Sequence, residues 1–100
     1  MNLIINTIIQ EKQRIDYMID EYKKTLTVLP KGSLTERHVG EKTYYYLKYR
    51  ENGKVISKYV PSKNAKKIRD EIDRRRHIET MLLSLQEEAK LADRFLGGLV

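Results

Sequence analysis

The sequence has no cysteine and only two histidines in 100 residues, and these shortages exclude several classes of protein. Without cysteine there is no disulfide framework, no thiolate metal site and no cysteine nucleophile. His38 and His77 fall in different predicted elements and lack the HExxH spacing of a zinc helix, so no metal site is expected. The absence of disulfides is compatible with a reducing compartment.

Long apolar runs are also missing. A helix that crosses a bilayer needs roughly 20 consecutive apolar residues, and no stretch of this chain approaches that length. The apolar start, Met1 to Ile9, has no preceding basic region, is interrupted by Asn6 and Thr7, and lacks a small-residue cleavage site. We therefore expect a cytoplasmic protein without a membrane partner.

No catalytic arrangement is recognisable in the sequence. Pro30-Lys31-Gly32-Ser33 lacks the upstream glycine of a phosphate-binding loop and is better interpreted as a turn. No serine lies in a nucleophile elbow. A chain of 100 residues buries one modest core, which leaves little room for a deep substrate cavity. We therefore expect a protein that is not an enzyme and that has no catalytic residues and no cofactor.

The spacing of apolar residues predicts a helix at each end of the chain. In residues 1–28 they recur at three- and four-residue steps, and Pro30 disfavours helical backbone at Leu29. Residues 62–97 show the same steps, and Gly97-Gly98 ends them. Both segments are therefore expected to form amphipathic helices.

The middle segment has a different pattern. Residues 29–61 are rich in tyrosine and β-branched residues. Gly40-Glu41-Lys42 separates the first two predicted strands, and Asn52-Gly53 is a strong signal for a two-residue hairpin turn between the second and third. We predict an α+β single domain over residues 1–100. It consists of an N-terminal helix, a three-stranded antiparallel β-meander and a long C-terminal helix, with the helices packing as an antiparallel or coiled-coil pair.

The net charge of +6 is located mainly in this middle segment. Residues 1–28 have four basic and four acidic side chains, and residues 68–100 have six basic and seven acidic ones. Residues 29–67 therefore have a net charge of +7. A positive field concentrated in one segment favours a polyanionic partner.

Hairpin register predicts which side chains share a sheet face. A two-residue Asn52-Gly53 loop places Tyr46 opposite Tyr59, on a face that mixes tyrosines with cations. Such faces stack on bases and pair with phosphates, so we predict a nucleic-acid-binding site. The candidate residues are Tyr44, Tyr46, Lys48, Arg50, Lys54 and Tyr59. The alternative is structural: tyrosines are good strand formers, and lysines prevent an exposed sheet from aggregating.

A second basic cluster, Arg74-Arg75-Arg76, lies in the long helix. Three adjacent helical residues spread over about 200° of the helix surface, so they cannot form one tight patch. Asp70 and Glu71 precede Arg74 and Arg75 by four residues, the favourable order for helical ion pairs. We expect a solvated, ion-paired surface there.

A second functional hypothesis comes from the C-terminal helix. Its apolar stripe from Leu82 to Leu99 is longer than one short sheet can cover, and it includes an apolar end at Phe95, Leu96, Leu99 and Val100. This excess predicts a protein-interaction or dimerisation element, which forms a homodimer or docks on an acidic protein partner. A mobile genetic element is one origin that such a protein could have. The candidate oligomer-interface residues are Leu82, Leu85, Ala89 and Leu96.

The middle segment also resembles a small prokaryotic and phage family of unknown function. The resemblance covers about residues 29–80 and rests on the motifs LPKGSL, YYYLKYR, NGK and SKYV, at residues 29–34, 44–50, 52–54 and 57–60. It implies no particular activity.

A second resemblance is to the amino-terminal DNA-binding domains of tyrosine recombinases, in which three strands precede a helix. The similarity rests on residues 46–50, 52–54 and 62–65, and it implies a sheet that docks in the major groove of DNA. The leading helix, the much longer trailing helix and the lack of a recombinase catalytic domain depart from that pattern. The docking idea is therefore an analogy between folds.

Overall fold

The computed structural model describes residues 2–98 and has the predicted order of elements. Helix α1 spans Leu3–Leu26, strands β1, β2 and β3 span Ser33–Val39, Lys42–Glu51 and Lys54–Val60, and helix α2 spans Ser62–Gly97. The chain forms two compact units. The helical unit contains α1 and the part of α2 from His77 onward, and the sheet unit is Leu29–Arg76, with the three strands and the first part of α2.

Local hydrogen bonds define both ends of α1. The Asn2 side-chain oxygen accepts from the backbone N–H groups of Ile4 and Ile5 at 3.0 and 3.2 Å, which satisfies two of the unpaired donors of the first turn. At the other end, the Thr27 and Val28 N–H groups donate to carbonyls three residues earlier. These tighter bonds end the helix at Leu26, slightly before the predicted end at residue 28.

In the helical unit the two helices run antiparallel, as predicted. Arg14 lies near Glu88, whereas the earlier residue Lys12 places its Nζ 3.3 Å from Oδ1 of the later residue Asp93. Three apolar side chains form the buried core of this unit: Ile15, Ile78 and Leu85. The three- and four-residue apolar steps thus produced a helix pair, because they place these side chains on facing sides.

In the sheet unit the strand order is β1-β2-β3, with both neighbouring pairs antiparallel. Asn52 and Gly53 have φ of 51° and 76°, the positive values that a type I′ turn requires. The resulting register pairs Tyr46 with Tyr59, as the sequence predicts. The other turn contains Gly40 with φ of 62° and pairs Val39 with Lys42.

Gly32 allows the chain to enter β1. It has φ of 104°, and a Cβ at this position would lie 2.0 Å from the Lys48 carbonyl oxygen. No side chain fits against β2 at that distance, so the turn before β1 requires glycine. This close approach gives the Pro30-Lys31-Gly32-Ser33 turn a packing role.

The first part of α2 lies against one face of the sheet. Val60, Ala65 and Ile72 are buried, and Arg69 Nη2 donates to Glu36 Oε1 at 3.1 Å. Arg75 differs from the expectation of a solvated cluster: it is half-buried, and its Nη1 donates to the Leu29 carbonyl oxygen at 2.8 Å. A guanidinium has five donors on a long stem, so it satisfies a backbone carbonyl that no strand or helix uses.

Neither described helix combines the length and the apolar character that crossing a membrane requires.

Candidate nucleic-acid-binding face

Strand alternation and the observed register place twelve residues on one side of the sheet. We call this surface the tyrosine-cation face. Four of its members are cations and none is a carboxylate. The members are Ser33, Thr35, Arg37, Val39, Lys42, Tyr44, Tyr46, Lys48, Arg50, Val55, Ser57 and Tyr59.

The tyrosine-cation face is open to solvent. The Glu36 contact with Arg69 and the burial of Val60 place α2 against the opposite face. On the tyrosine-cation face, Tyr59 is 58% exposed, and Tyr44 and Tyr46 are half-buried. The three tyrosines therefore lie outside the apolar core, where their rings are accessible to a ligand.

The four cations of this face have no internal partners. Within residues 2–98, Arg37, Lys42, Lys48 and Arg50 make no ion pair and donate no side-chain hydrogen bond. The carboxylates of the strands, Glu36 and Glu51, alternate onto the other side. An incoming phosphate can therefore pair with these cations without displacing an acidic side chain.

Two of the three tyrosines of the face touch each other. The Tyr46 and Tyr59 rings are 6.0 Å apart between centroids and meet edge to face at 68°. Beside Tyr46 is an open depression of about 360 Å³, lined by Thr35, Glu36, Arg37, Tyr46, Lys48 and Ser57. Five of these six residues belong to the tyrosine-cation face, and Glu36 alternates to the other side of β1.

The register corrects the placement of Lys54. Lys54 pairs with Glu51 and alternates with Val55, so it belongs to the opposite face, with Ile56 and Lys58. The reason is geometric, because in a two-residue turn the residue after the loop shares the side of the residue before it. On this opposite face Lys58 lies 5.6 Å from the Tyr49 ring centroid, and a hydrogen bond with Tyr49 raises the Lys58 pKa.

Two cations of the face were missed in the sequence. Arg37 pairs with Tyr44, and Lys42 pairs with Val39, so both belong to the tyrosine-cation face. The sequence interpretation assigned Gly40-Glu41-Lys42 to a three-residue loop, which hid this register. The signal was present, because glycine at the first position of a two-residue loop is typical of a type II′ hairpin.

The predicted oligomer-interface residues lie mostly inside the helical unit. Leu85 is only 8% exposed, and Leu82, Ala89 and Leu96 are half-buried. Leu85 is thus buried within the single chain and does not form an open surface for a second copy. Leu99 and Val100, the last residues of the predicted apolar end, lie outside the described residues.

Other apolar side chains of α2 are open. Leu83 and Leu91 are 66% and 62% exposed, and Phe95 is also exposed. Leu91 and Phe95 line an apolar groove together with Ile8 and Ala92, with Glu11 and Glu88 at its edge. Leu83 and Leu91 lie outside the predicted interface residues, whereas Phe95 belongs to the predicted apolar end.

Within residues 2–98, no three side chains of the metal-ligating types come together. His38 lies with its Nδ1 3.0 Å from the Thr43 hydroxyl oxygen.

Comparison with known proteins gives one family. The family model described as "Domain of unknown function (DUF6788)" matches residues 8–70. This range includes most of α1, the whole sheet and the start of α2. No curated protein and no solved structure matches the chain. The resemblance to the recombinase domains is not confirmed by these comparisons.

Proposed function

Because the chain belongs to the DUF6788 family, whose function is unknown, its role has to be inferred from its surfaces, and we propose that it binds nucleic acid through the tyrosine-cation face. The protein acts as a non-enzymatic binding module, with a phosphate backbone lying over the cations.

One observation supports this proposal above the others. Four cations on one open sheet face have no carboxylate among them and no ion-pair partner within residues 2–98. Lys48 and Arg50 lie two residues apart on β2, and Arg37 is diagonal to Lys42 across the β1–β2 pair, so their like charges repel one another. A polyanion relieves that repulsion and releases its own counterions on binding.

Salt dependence provides the test. If all four cations neutralise phosphates, the logarithm of affinity falls with the logarithm of salt at a slope of about −3 to −3.6. Raising salt from 50 to 200 mM then weakens binding by about 50- to 150-fold. Fluorescence anisotropy with labelled oligonucleotides measures this slope, and absent or salt-independent binding contradicts the proposal.

A matched pair of charge reversals locates the surface. Arg50→Glu on the face is expected to weaken binding at least tenfold, because it removes one phosphate contact and repels another. Lys23→Glu makes a comparable reversal on α1, outside the sheet, and is expected to have a much smaller effect. Equal losses in the two variants would show that net charge, and not this face, governs binding.

A second candidate function is self-association through the helical unit. The specific observation is the exposed apolar stripe of Leu83, Leu91 and Phe95. Two antiparallel helices have one buried seam, and pairing two such units gives a four-helix bundle that covers a second seam on each. A second copy of the chain is therefore the expected occupant.

Light scattering at micromolar concentration tests self-association. The wild type is expected to have the mass of a dimer, and Leu91→Glu is expected to shift the mass toward that of a monomer, since burying a charge in the new seam is costly. A wild type of monomeric mass at all concentrations would eliminate this candidate without affecting the nucleic-acid proposal.

A further inference from the structure

The aromatic part of the tyrosine-cation face distinguishes between duplex and single-stranded ligands. Tyr44 and Tyr46 lie on the central strand, and Tyr59 lies directly opposite Tyr46. In a duplex the flat faces of the bases are covered by neighbouring bases, and only their edges are open in the grooves. Rings on a sheet surface therefore stack only on bases that are already unstacked.

The polar residues of the face also favour a single-stranded ligand. Asparagine and glutamine read adenine edges, aspartate and glutamate accept from cytosine, and arginine and lysine read guanine. Only the last pair occurs among the twelve residues of the tyrosine-cation face, which thus lacks the amide and carboxylate side chains that read adenine and cytosine in a duplex. The face has cations for phosphates and rings for base planes, which is the composition of surfaces that bind single strands.

Spacing along β2 also fits an unstacked strand. Side chains two residues apart on one face, such as Tyr44 and Tyr46, are separated by about 6.8 Å along the strand. That is twice the 3.4 Å separation of stacked nucleotides. The gap between two such side-chain positions therefore has room for one base plane, and bases that remain stacked are too closely spaced to match it.

The cations flank the rings on both sides. Lys42 lies two residues before Tyr44, Lys48 and Arg50 follow Tyr46, and Arg37 is directly opposite Tyr44. From Lys42 to Arg50 the strand rises about 27 Å, and one nucleotide for every two strand residues gives about four nucleotides over that length. A backbone that follows β2 thus meets a cation before, beside and after the ring cluster.

From this arrangement we infer that the ligand of the tyrosine-cation face is single-stranded nucleic acid, about four nucleotides of which lie along β2, with Arg37 and Lys42 binding its phosphates. The inference rests on the proposed function and adds the ligand's strandedness and two contact residues.

The first experiment compares ligand forms with the full chain. Anisotropy titrations use a labelled 12-nucleotide thymidine oligomer, a mixed 12-nucleotide single strand, and a hairpin duplex that contains the mixed sequence. Both single strands are expected to bind at least tenfold more tightly than the duplex. A duplex that binds as tightly or more tightly overturns the inference and leaves the proposed function standing. Absence of binding to all three overturns both.

The second experiment removes one ring. Tyr59→Leu is expected to weaken single-strand binding by about five- to 100-fold, the range for loss of one base-ring stack. Tyr17→Leu is the matched control, because Tyr17 is 67% exposed and lies on α1. Tyr59→Phe keeps the ring and is expected to restore near-wild-type affinity, which separates stacking from folding. Equal affinity of Tyr59→Leu and Tyr17→Leu overturns the inference.

The third experiment tests the two added cations. Arg37→Gln and Lys42→Gln are each expected to make the salt slope for the thymidine oligomer shallower by about 0.7, the value for one phosphate of a single strand. Lys23→Gln on α1 provides the control. Unchanged slopes for both face variants would show that neither residue binds a phosphate.

Discussion

The two units of this protein handle positive charge in opposite ways. The sheet unit, residues 29–76, has fourteen basic and six acidic residues, and the rest of the chain has six basic and eight acidic ones. In the described part of the helical unit four of the six cations are paired: Lys12 lies 2.7 Å from Asp16, Arg14 2.8 Å from Glu11, Lys24 3.2 Å from Asp20 and Lys90 3.5 Å from Glu87. On the tyrosine-cation face the cations have no such partners within residues 2–98.

The repeat of each secondary structure explains this difference. On a helix, residues three or four apart are neighbours, so Lys12 reaches Asp16 and Arg14 reaches Glu11. On a strand, neighbouring residues point to opposite sides, so Glu36 and Glu51 fall away from the cations beside them in sequence. The helices therefore bring opposite charges together, whereas the tyrosine-cation face collects cations without a carboxylate.

These pairings leave a protonation signature in the helical unit. Side-chain hydrogen bonds to Asp16 and Asp93 raise the pKa of Lys12, and the hydrogen bond to Glu11 raises that of Arg14. The same contact with Arg14 lowers the Glu11 pKa. All these groups are at the surface, where solvent screening keeps each contribution to stability small.

The largest expected effect tests how the sheet unit is built. Gly32→Ala forces a Cβ against the Lys48 carbonyl oxygen and a side chain at φ of 104°. We expect the free energy of unfolding to fall by on the order of 4 kcal/mol, since the backbone of β2 must move. Urea titration followed by circular dichroism measures this loss.

Gly40→Ala is the matched control for that change. Gly40 also has positive φ, 62°, but a Cβ there meets no atom within 4 Å. Its expected cost is only the strain of left-handed backbone, about 1 kcal/mol. Equal costs in the two variants would mean that close approach to β2 does not explain the need for glycine at position 32.

The next effect tests the core of the helical unit. Leu85→Ala deletes a side chain that is buried within one chain, and we expect a loss of about 2 to 3 kcal/mol in unfolding free energy. Leu83→Ala, two positions away and largely exposed, is expected to cost less than about 0.5 kcal/mol. Denaturation at several protein concentrations separates a buried core from an oligomer interface. If the Leu85→Ala loss shrank as the protein was diluted, Leu85 would have to be assigned to an interface between copies.

The smallest effect tests the charge comparison itself. Lys12→Gln removes a cation with two acidic partners and is expected to lower the free energy of unfolding at neutral pH. Lys48→Gln removes a cation without an acidic partner and is expected to leave the free energy of unfolding unchanged or to raise it. Thermal unfolding of the two variants at low salt measures the difference. A larger loss for Lys48→Gln would reverse the comparison of the two units.

The pH dependence of stability provides a second test of the contribution of Lys12. The Lys12 pKa is raised in the folded state, so its stabilising contribution is fully present below the ordinary value of 10.5 and is lost as pH rises through the folded value. The stability difference between wild type and Lys12→Gln is therefore expected to shrink above pH 10.5. A difference that stayed constant across this range would indicate that the lysine stem, and not its charge, contributes.

Much of the fold could be predicted from the sequence because its signals are local. The apolar steps of α1 and α2 and the Asn52-Gly53 turn depend on neighbouring residues, and they gave the element order and the register of Tyr46 with Tyr59. Lys54 was placed on the wrong face because alternation was not applied across the turn. Arg37 and Lys42 were missed because the second hairpin was given a loop one residue too long.

By itself the sequence determined the α+β order, the concentration of positive charge in the middle segment and the hairpin that brings two tyrosines together. These depend on periodicity, turn chemistry and composition, which act over a few residues. Only the tertiary structure decided that Leu85 is buried, that Arg75 binds a backbone carbonyl, and that Gly32 must stay small. Each of these depends on contact with residues distant in sequence, because burial and close approach are properties of the packed chain.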